Sequence, residues 1–351
     1  MSNGKNSWNA ESVLKRLGDI LANREELLIL LHTHPDPDAI ASGAALQLLL
    51  KEKFKLSSSI AYSGIIARAE NRAMVKKLGI HLKQYNRIKR SRYDSMALID
   101  SQPGAGNNVL SARDRCTIVI DHHPPRKDTL ADLALINPEI GATATILVEL
   151  LKAAKIEIPA DIATALAYAI DSETQSMHRE AAAADIQAYL TVYTQASIRK
   201  YGEIVNPNLP HYYFLQLGRA LNNALIYRNT ICTHLTKIYH PEIVAEMADF
   251  FLKHERISSV LCTGIFKQSL IISIRTSSER MNAGTLIKKL PLVKDNAGGH
   301  DRSAGGVLSL EGMTAGEVNH LVSSLVDSFA RNLGHEEVRW KPLLDYTDFP
   351  A

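Results

Sequence analysis

Three short clusters gather acids and imidazoles in the first part of the chain: "HTHPDPD" (32–38), "DSQPG" (100–104) and "DHHPP" (121–125). Carboxylates are the ligands of hard divalent cations, and imidazole shifts the preference toward Mn²⁺ over Ca²⁺. Several aspartates mixed with one or two histidines suit a dinuclear site. In Asp36-Pro37-Asp38 the proline stiffens the turn, so two carboxylates can reach adjacent cations. Two cations about 3.5–4 Å apart activate a bridging water and neutralise phosphate oxygens, which is phosphoryl-transfer chemistry. Taken singly, each cluster has a plainer reading: Asp38 as a helix N-cap, "SQPG" as a turn. Three clusters of the same two residue types favour the metal reading.

The elements around the clusters say how they would be positioned. "ELLILLH", "SMALID" and "CTIVID" are short apolar runs, the signature of strands buried on both faces, and each leads into one cluster. Pro37 suits the first turn of a helix from about 38 to 53. "SSSIAY" reads as a further strand; "RAENRAMVKKLG", "ATATILVELLKAAK" and "PADIATALAYAIDSE" read as helices. Alternation of strands and helices predicts an α/β fold, with a mainly parallel sheet and helices on both faces. Ligands of such sheets bind beyond the carboxyl ends of the strands, where all three clusters fall. The pattern then changes to α+β, with strands "NTICTHL", "ISSVLCTGIF" and "SLIISIRTS", a helix "NAGTLIKKL", a glycine-rich loop "NAGGHDRSAGG", a strand "VLSL" and a closing helix from about 314 to 332. The expected division is 1–195 for the metal-binding domain, 196–226 for a helical linker, 227–333 for a smaller substrate domain and 334–351 for a tail.

The bulk numbers agree with two ordinary globular domains in 351 residues, with 46% hydrophobic and 22% charged residues. A net charge of +3 gives no stripe for long duplex nucleic acid. The 3 cysteines are scattered without CxxC spacing, which excludes zinc-ribbon and thioredoxin chemistry and fits a reducing compartment. With no apolar leader and no bilayer-length apolar run, a cytoplasmic protein without membrane partners is expected.

"HTHPDPDA", "ALIDSQP" and "VIDHHPP", followed by "AYAIDSET" and much later by "GGHDRSAGG", resemble the DHH/DHHA1 phosphoesterases, which include nanoRNases, pAp-phosphatases and RecJ exonucleases; family II pyrophosphatases share the DHH half. The resemblance implies His32, Asp36, Asp38, Asp100, His122 and Asp171 as metal ligands. One cation would take His32, Asp36 and Asp100, the other Asp38, Asp100, His122 and Asp171. His34 falls on a variable position and drops out. Asp100 bridges, Asp121 orients the histidines and His123 faces the substrate phosphate. In the second domain Arg275, Gly298, Gly299 and His300 would contact substrate, although Ala297 replaces the family's first glycine. The implied cofactor is a pair of divalent cations, Mn²⁺ first, with Mg²⁺ or Co²⁺ as alternatives. The implied activity is hydrolysis of phosphoester bonds in nanoRNA, pApA or pAp by a water bridging the two cations, in a homodimer. The rival expectations are a cyclic-dinucleotide phosphodiesterase, a pyrophosphatase or polyphosphatase, and a nucleotide-sensing protein without chemistry.

Overall fold

The computed structural model describes residues 9–178, 181–293, 297–299, 301–335 and 337–345. The chain divides into two compact units, Met1–Pro207 and Asn208–Ala351. No helix among the described residues is long and apolar enough to cross a membrane.

The first unit runs α1 (Ala10–Leu21), β1 (Glu26–Thr33), α2 (Pro37–Phe54), β2 (Ser57–Ser63), α3 (Ala69–Lys77) and β3 (Leu82–Gln84). Two 3-10 turns (Tyr85–Arg87 and Arg90–Arg92) lead to β4 (Ser95–Ile99), β5 (Cys116–Asp121) and β6 (Ala131–Ile136). Helices α4 (Thr143–Ala153), α5 (Ala160–Glu173), α6 (Ala183–Tyr193) and α7 (Ile198–Val205) complete it. The six strands are all parallel, in the order β3-β2-β1-β4-β5-β6. The chain therefore winds outward in both directions from β1 and β4. Their carboxyl ends form the switch point where open parallel sheets bind ligands.

Alternation along β1 splits its side chains between two cores. Leu27, Ile29 and Leu31 face the main helical core, where Ile40 and Leu46 of α2, Leu147 of α4 and Leu166 of α5 are completely buried. Leu28 and Leu30 face a smaller cluster with Tyr93, Leu98 and Val119, covered by the 3-10 turns and loops. The second cover is thus made of single-turn helices rather than long ones. Helix α2 begins because the Asp36 carboxylate accepts the Ala39 N–H (2.9 Å) and Pro37 needs no partner at the first turn. The capping role offered above for Asp38 belongs to Asp36.

The second unit runs α8 (His211–Asn222), β7 (Leu225–Tyr227), β8 (Thr230–Lys237), α9 (Glu242–Phe251), β9 (Ser259–Phe266), β10 (Ser269–Thr276), α10 (Ala283–Lys288), β11 (Ala297–Gly299), β12 (Ser303–Ser309), α11 (Ala315–Asn332) and β13 (Lys341–Pro342). Its sheet has the order β11-β12-β10-β9-β8-β7-β13, antiparallel except for β8 and β9, which the α9 crossover makes parallel. Helices α8 and α9 cover one face, α10 and α11 the other.

Two expectations change. The stretch 196–226 is no separate linker: α7 packs against α3 and α5 in the first unit, and α8 against β8 in the second. The glycine-rich segment is not a plain loop. Ala297–Gly299 and Ser303–Ser309 pair antiparallel as an edge hairpin, Gly298 opposite Gly305 and Gly299 opposite Ala304.

Candidate active site

The ends of β1, β4 and β5 bring the three clusters together. His32 is buried, and its Nδ1–H donates to the Thr33 carbonyl (3.0 Å). That bond commits Nδ1 and turns Nε2 toward the carboxylates, 3.5 Å from Asp36 Oδ1 and 3.6 Å from Asp100 Oδ2. On the other side His122 Nε2 lies 3.7 Å from Asp100 Oδ1 and 4.0 Å from Asp38 Oδ2. This Nε2 is buried and has no hydrogen-bond partner, an arrangement that costs energy unless a ligand is supplied. Asp100 therefore turns one oxygen to each histidine. Its backbone φ of +57° is left-handed, a conformation that costs an aspartate energy and is found where function fixes a side chain. Thr143 Oγ1 steadies the carboxylate by donating to Oδ1 (2.8 Å).

His32, Asp36 and Asp100 can converge on one cation, and Asp100, His122 and His123 form a second convergent set. Asp38 stands beside the second set. Its oxygens accept the first N–H groups of α4, from Thr143 (2.7 Å) and Ala144 (2.8 Å), so a helix N-terminus holds it in place. Oδ1 also accepts the Ser42 hydroxyl (3.3 Å), so Oδ2, nearest His122, is the oxygen that keeps a lone pair for a cation. His34 is exposed, and its Nδ1 accepts the Ile65 N–H (3.1 Å), outside either set.

Asp121 is fully buried and supports His123. The His123 Nδ1–H donates to Asp121 Oδ1 (2.8 Å), and Gln102 Nε2 donates to Asp121 Oδ2 (2.7 Å). The His123 side chain is 41% exposed against 10% for His122, so the second histidine of the pair is the one open to a substrate.

Charge is crowded here. Burial and the charges of Asp100, Asp36 and Glu173 push the Asp38 carboxyl well up; burial and Asp36 push up Asp100. Burial disfavours a charged His32, but Asp36 and Asp100 outweigh it and raise its pKa to about 10. Burial likewise opposes ionisation of Asp36, and His32 outweighs it, holding the carboxyl near 2. Its hydrogen bond to Asp121 raises His123 to about 9. A nest in which burial and neighbouring carboxylates disfavour ionisation of Asp38 and Asp100 is one that a cation would neutralise. A metal at His32 must expel its proton. Because the pKa lies above neutrality, affinity should rise with pH across the range 6–9, about tenfold per unit for one proton. Mn²⁺ titrations in buffers of different ionisation enthalpy check this, and a pH-independent affinity with no proton release would contradict it.

Asp171 falls in neither convergent ligand set. Its carboxylate hydrogen-bonds the Tyr201 hydroxyl, whose pKa burial and that charge push up. Glu173 instead lies close enough to raise both Asp38 and His123. Two residues along a helix are separated by about 160°, so the two acids cannot share a face. Glu173, seven positions after Leu166, keeps the phase of that core residue. This phase was the signal available in the sequence. Thr143 and Gln102 carried no comparable signal.

In the second unit, a groove of about 420 Å³ is lined by Glu242, Ser273, Arg275, Gly298, Gly305 and Val307, among others. Arg275 is held by Asp249 (Nε to Oδ1, 2.5 Å) and by Ser273 Oγ (2.9 Å). The glycines divide by role. A Cβ on Gly299 would fall 2.4 Å from that of Ala304, so packing demands glycine there. A Cβ on Gly298 would meet nothing within 4 Å, and one on Gly305 only the Ile272 carbonyl at 3.8 Å. This cross-strand pair leaves bare backbone on the groove floor. His300 lies outside the described residues.

Comparison with known proteins agrees with this construction. Residues 26–170 match the DHH family, N-terminal domain, and residues 228–331 match the DHHA1 domain. An uncharacterized protein of Methanocaldococcus jannaschii is 36% identical over 287 residues, covering 81% of this chain and 58% of that protein. A "Probable manganese-dependent inorganic pyrophosphatase" of Lactobacillus delbrueckii subsp. bulgaricus is 28% identical over 156 residues, 43% of this chain and 48% of that one. The chain thus spans about half the length of these relatives. A crystal structure of an exopolyphosphatase-related protein from Bacteroides fragilis superposes with a TM-score of 0.73 at 15% identity, over 92% of this chain and 96% of that one, which shows a common fold. With both domain types matched in order, and with the Asp-His-His triplet at the end of β5, the chain carries a DHH family N-terminal domain followed by a DHHA1 domain.

Proposed function

We propose that this protein is a metal-dependent phosphoesterase acting on short nucleotides, such as nanoRNA, pApA or pAp. The observation that carries the reading is Asp100, buried and turned with one oxygen toward His32 and the other toward His122. One cation would be held by His32, Asp36 and Asp100, the other by Asp38, Asp100, His122 and Glu173. The mixed carboxylate and imidazole donors favour Mn²⁺, with Mg²⁺ or Co²⁺ as alternatives. When bound, the cations supply Lewis-acid charge to phosphate oxygens and lower the pKa of water.

The chain's own groups do the rest. His123, oriented through Nδ1 by Asp121, has Nε2 left to donate to a phosphate oxygen. The groove in the second unit supports a nucleotide over pyrophosphate. Its walls are largely apolar, its floor is bare at Gly298 and Gly305, and its polar groups are few, which suits a nucleoside more than a compact polyanion. The test is a hydrolysis panel with Mn²⁺: pAp, pApA, c-di-AMP, RNA of graded length, and pyrophosphate. Mononucleotide release from the short linear substrates is expected, declining with length. Activity on pyrophosphate alone would overturn the reading.

A further inference from the structure

The segment after Asp100 is more than the turn its sequence suggests. Gln102 is 2% exposed, and both ends of its amide are committed. Oε1 accepts the Arg126 N–H (2.7 Å) and the Thr129 hydroxyl (3.0 Å). Nε2 donates to Asp121 Oδ2 (2.7 Å) and to the Pro124 carbonyl (3.2 Å). The amide cannot be flipped, because a backbone N–H can only donate and a backbone carbonyl can only accept. Asn108 in turn donates to the Gln102 carbonyl (2.9 Å) and Ser101 Oγ (2.8 Å), and the Asn107 carbonyl accepts the Thr33 N–H (2.6 Å). One side chain therefore ties the loop that follows β4 to the loop that carries His122 and His123.

We propose that Gln102 is a positioning residue for the reaction, acting through Asp121 on His123. Its side-chain amide bonds to none of the metal-ligand atoms. It occupies the one Asp121 oxygen that His123 does not use, so that carboxylate can neither rotate nor present its other oxygen to the imidazole. The inference rests on the phosphoesterase reading above, and the test separates the two.

The informative variant is Gln102→Glu. It keeps the volume and the Oε1 bonds to Arg126 and Thr129, but replaces the donor to Asp121 with a second acceptor. With pApA as substrate, kcat should fall about 10–100-fold, the usual cost of losing an outer-sphere partner. KM and Mn²⁺ affinity should change little, because no ligand is touched, whereas the melting temperature should fall, because a buried acceptor now opposes Asp121 and the Pro124 carbonyl. His123→Ala should lower kcat by about 10²-fold or more. Adding Gln102→Glu to His123→Ala should then cost less than about threefold, since its effect passes through the missing imidazole. Additive losses in the double variant would overturn the inference, as would a loss of Mn²⁺ affinity that matches the fall in kcat. An unchanged rate in His123→Ala would instead refute the substrate-facing role of His123, and with it the proposal built on it.

Discussion

Asp100→Ala is expected to remove metal-dependent hydrolysis almost entirely, by about 10⁴-fold or more in kcat, on the scale of losing a residue central to a catalytic unit. Asp100 is the one carboxylate that faces both histidines, so its loss separates the two ligand sets. Cation capacity should fall from two to at most one per chain. Unfolding is not the expected cause. The carboxylate is buried, repelled by Asp36 and held in left-handed backbone, so in the metal-free chain it is a strained group. Losing the repelled charge favours the fold, but alanine keeps the left-handed φ, which it tolerates less well than aspartate, and leaves the Thr143 hydroxyl without its acceptor, so the metal-free variant should stay folded and melt somewhat below the metal-free parent. Thermal melts with and without Mn²⁺ show this directly: the parent gains stability from the cation by mass action, and the variant gains much less. A variant that hydrolyses pApA at the parental rate would remove Asp100 from the chemistry.

The second large effect concerns the end of α5, where two acids stand two residues apart. Glu173→Gln should weaken Mn²⁺ binding and lower kcat, each by about 10–100-fold at least, because its charge bears on Asp38 and His123. Asp171→Asn should do neither. It weakens the bond to Tyr201, within an aromatic group in which Tyr193 meets Tyr201 edge-on at 5.6 Å and Tyr189 stacks on Tyr193 at 5.0 Å. Its cost is therefore in stability, about 1 kcal/mol for a hydrogen bond to a charged group after partial compensation. Mn²⁺ titration of both variants decides the assignment. If Asp171→Asn lost metal and Glu173→Gln kept it, the original assignment from the motif would be restored.

That pair of acids shows where the sequence stops being readable. His32, Asp36, Asp100, His122 and His123 were legible because apolar runs ended at them, and a parallel sheet has only one edge where such ends collect. Asp171 and Glu173 share a helix end, and only the helical phase separates them. Gln102 sat in "SQPG", where a turn explains every residue, and its four partners come from positions up to 27 residues away. In the second unit, "NAGGHDRSAGG" has the composition of a loop. Pairing with β10 and packing on Ala304 make it a hairpin, a tertiary effect that glycine content conceals. Strand β3 is three residues long and β6 exposes Ala134, so neither gave the continuous apolar run that marked β1, β4 and β5.

The proposed function needs a two-cation hydrolytic site at the ends of β1, β4 and β5. Equilibrium dialysis of the metal-stripped chain against Mn²⁺, with pApA hydrolysis followed on the same samples, tests it most directly. Saturation is expected at two Mn²⁺ per chain, with hydrolysis absent in the stripped protein and rising only as the second cation binds. A chain that binds no Mn²⁺, or one that hydrolyses pApA at full rate after metal removal, would contradict it.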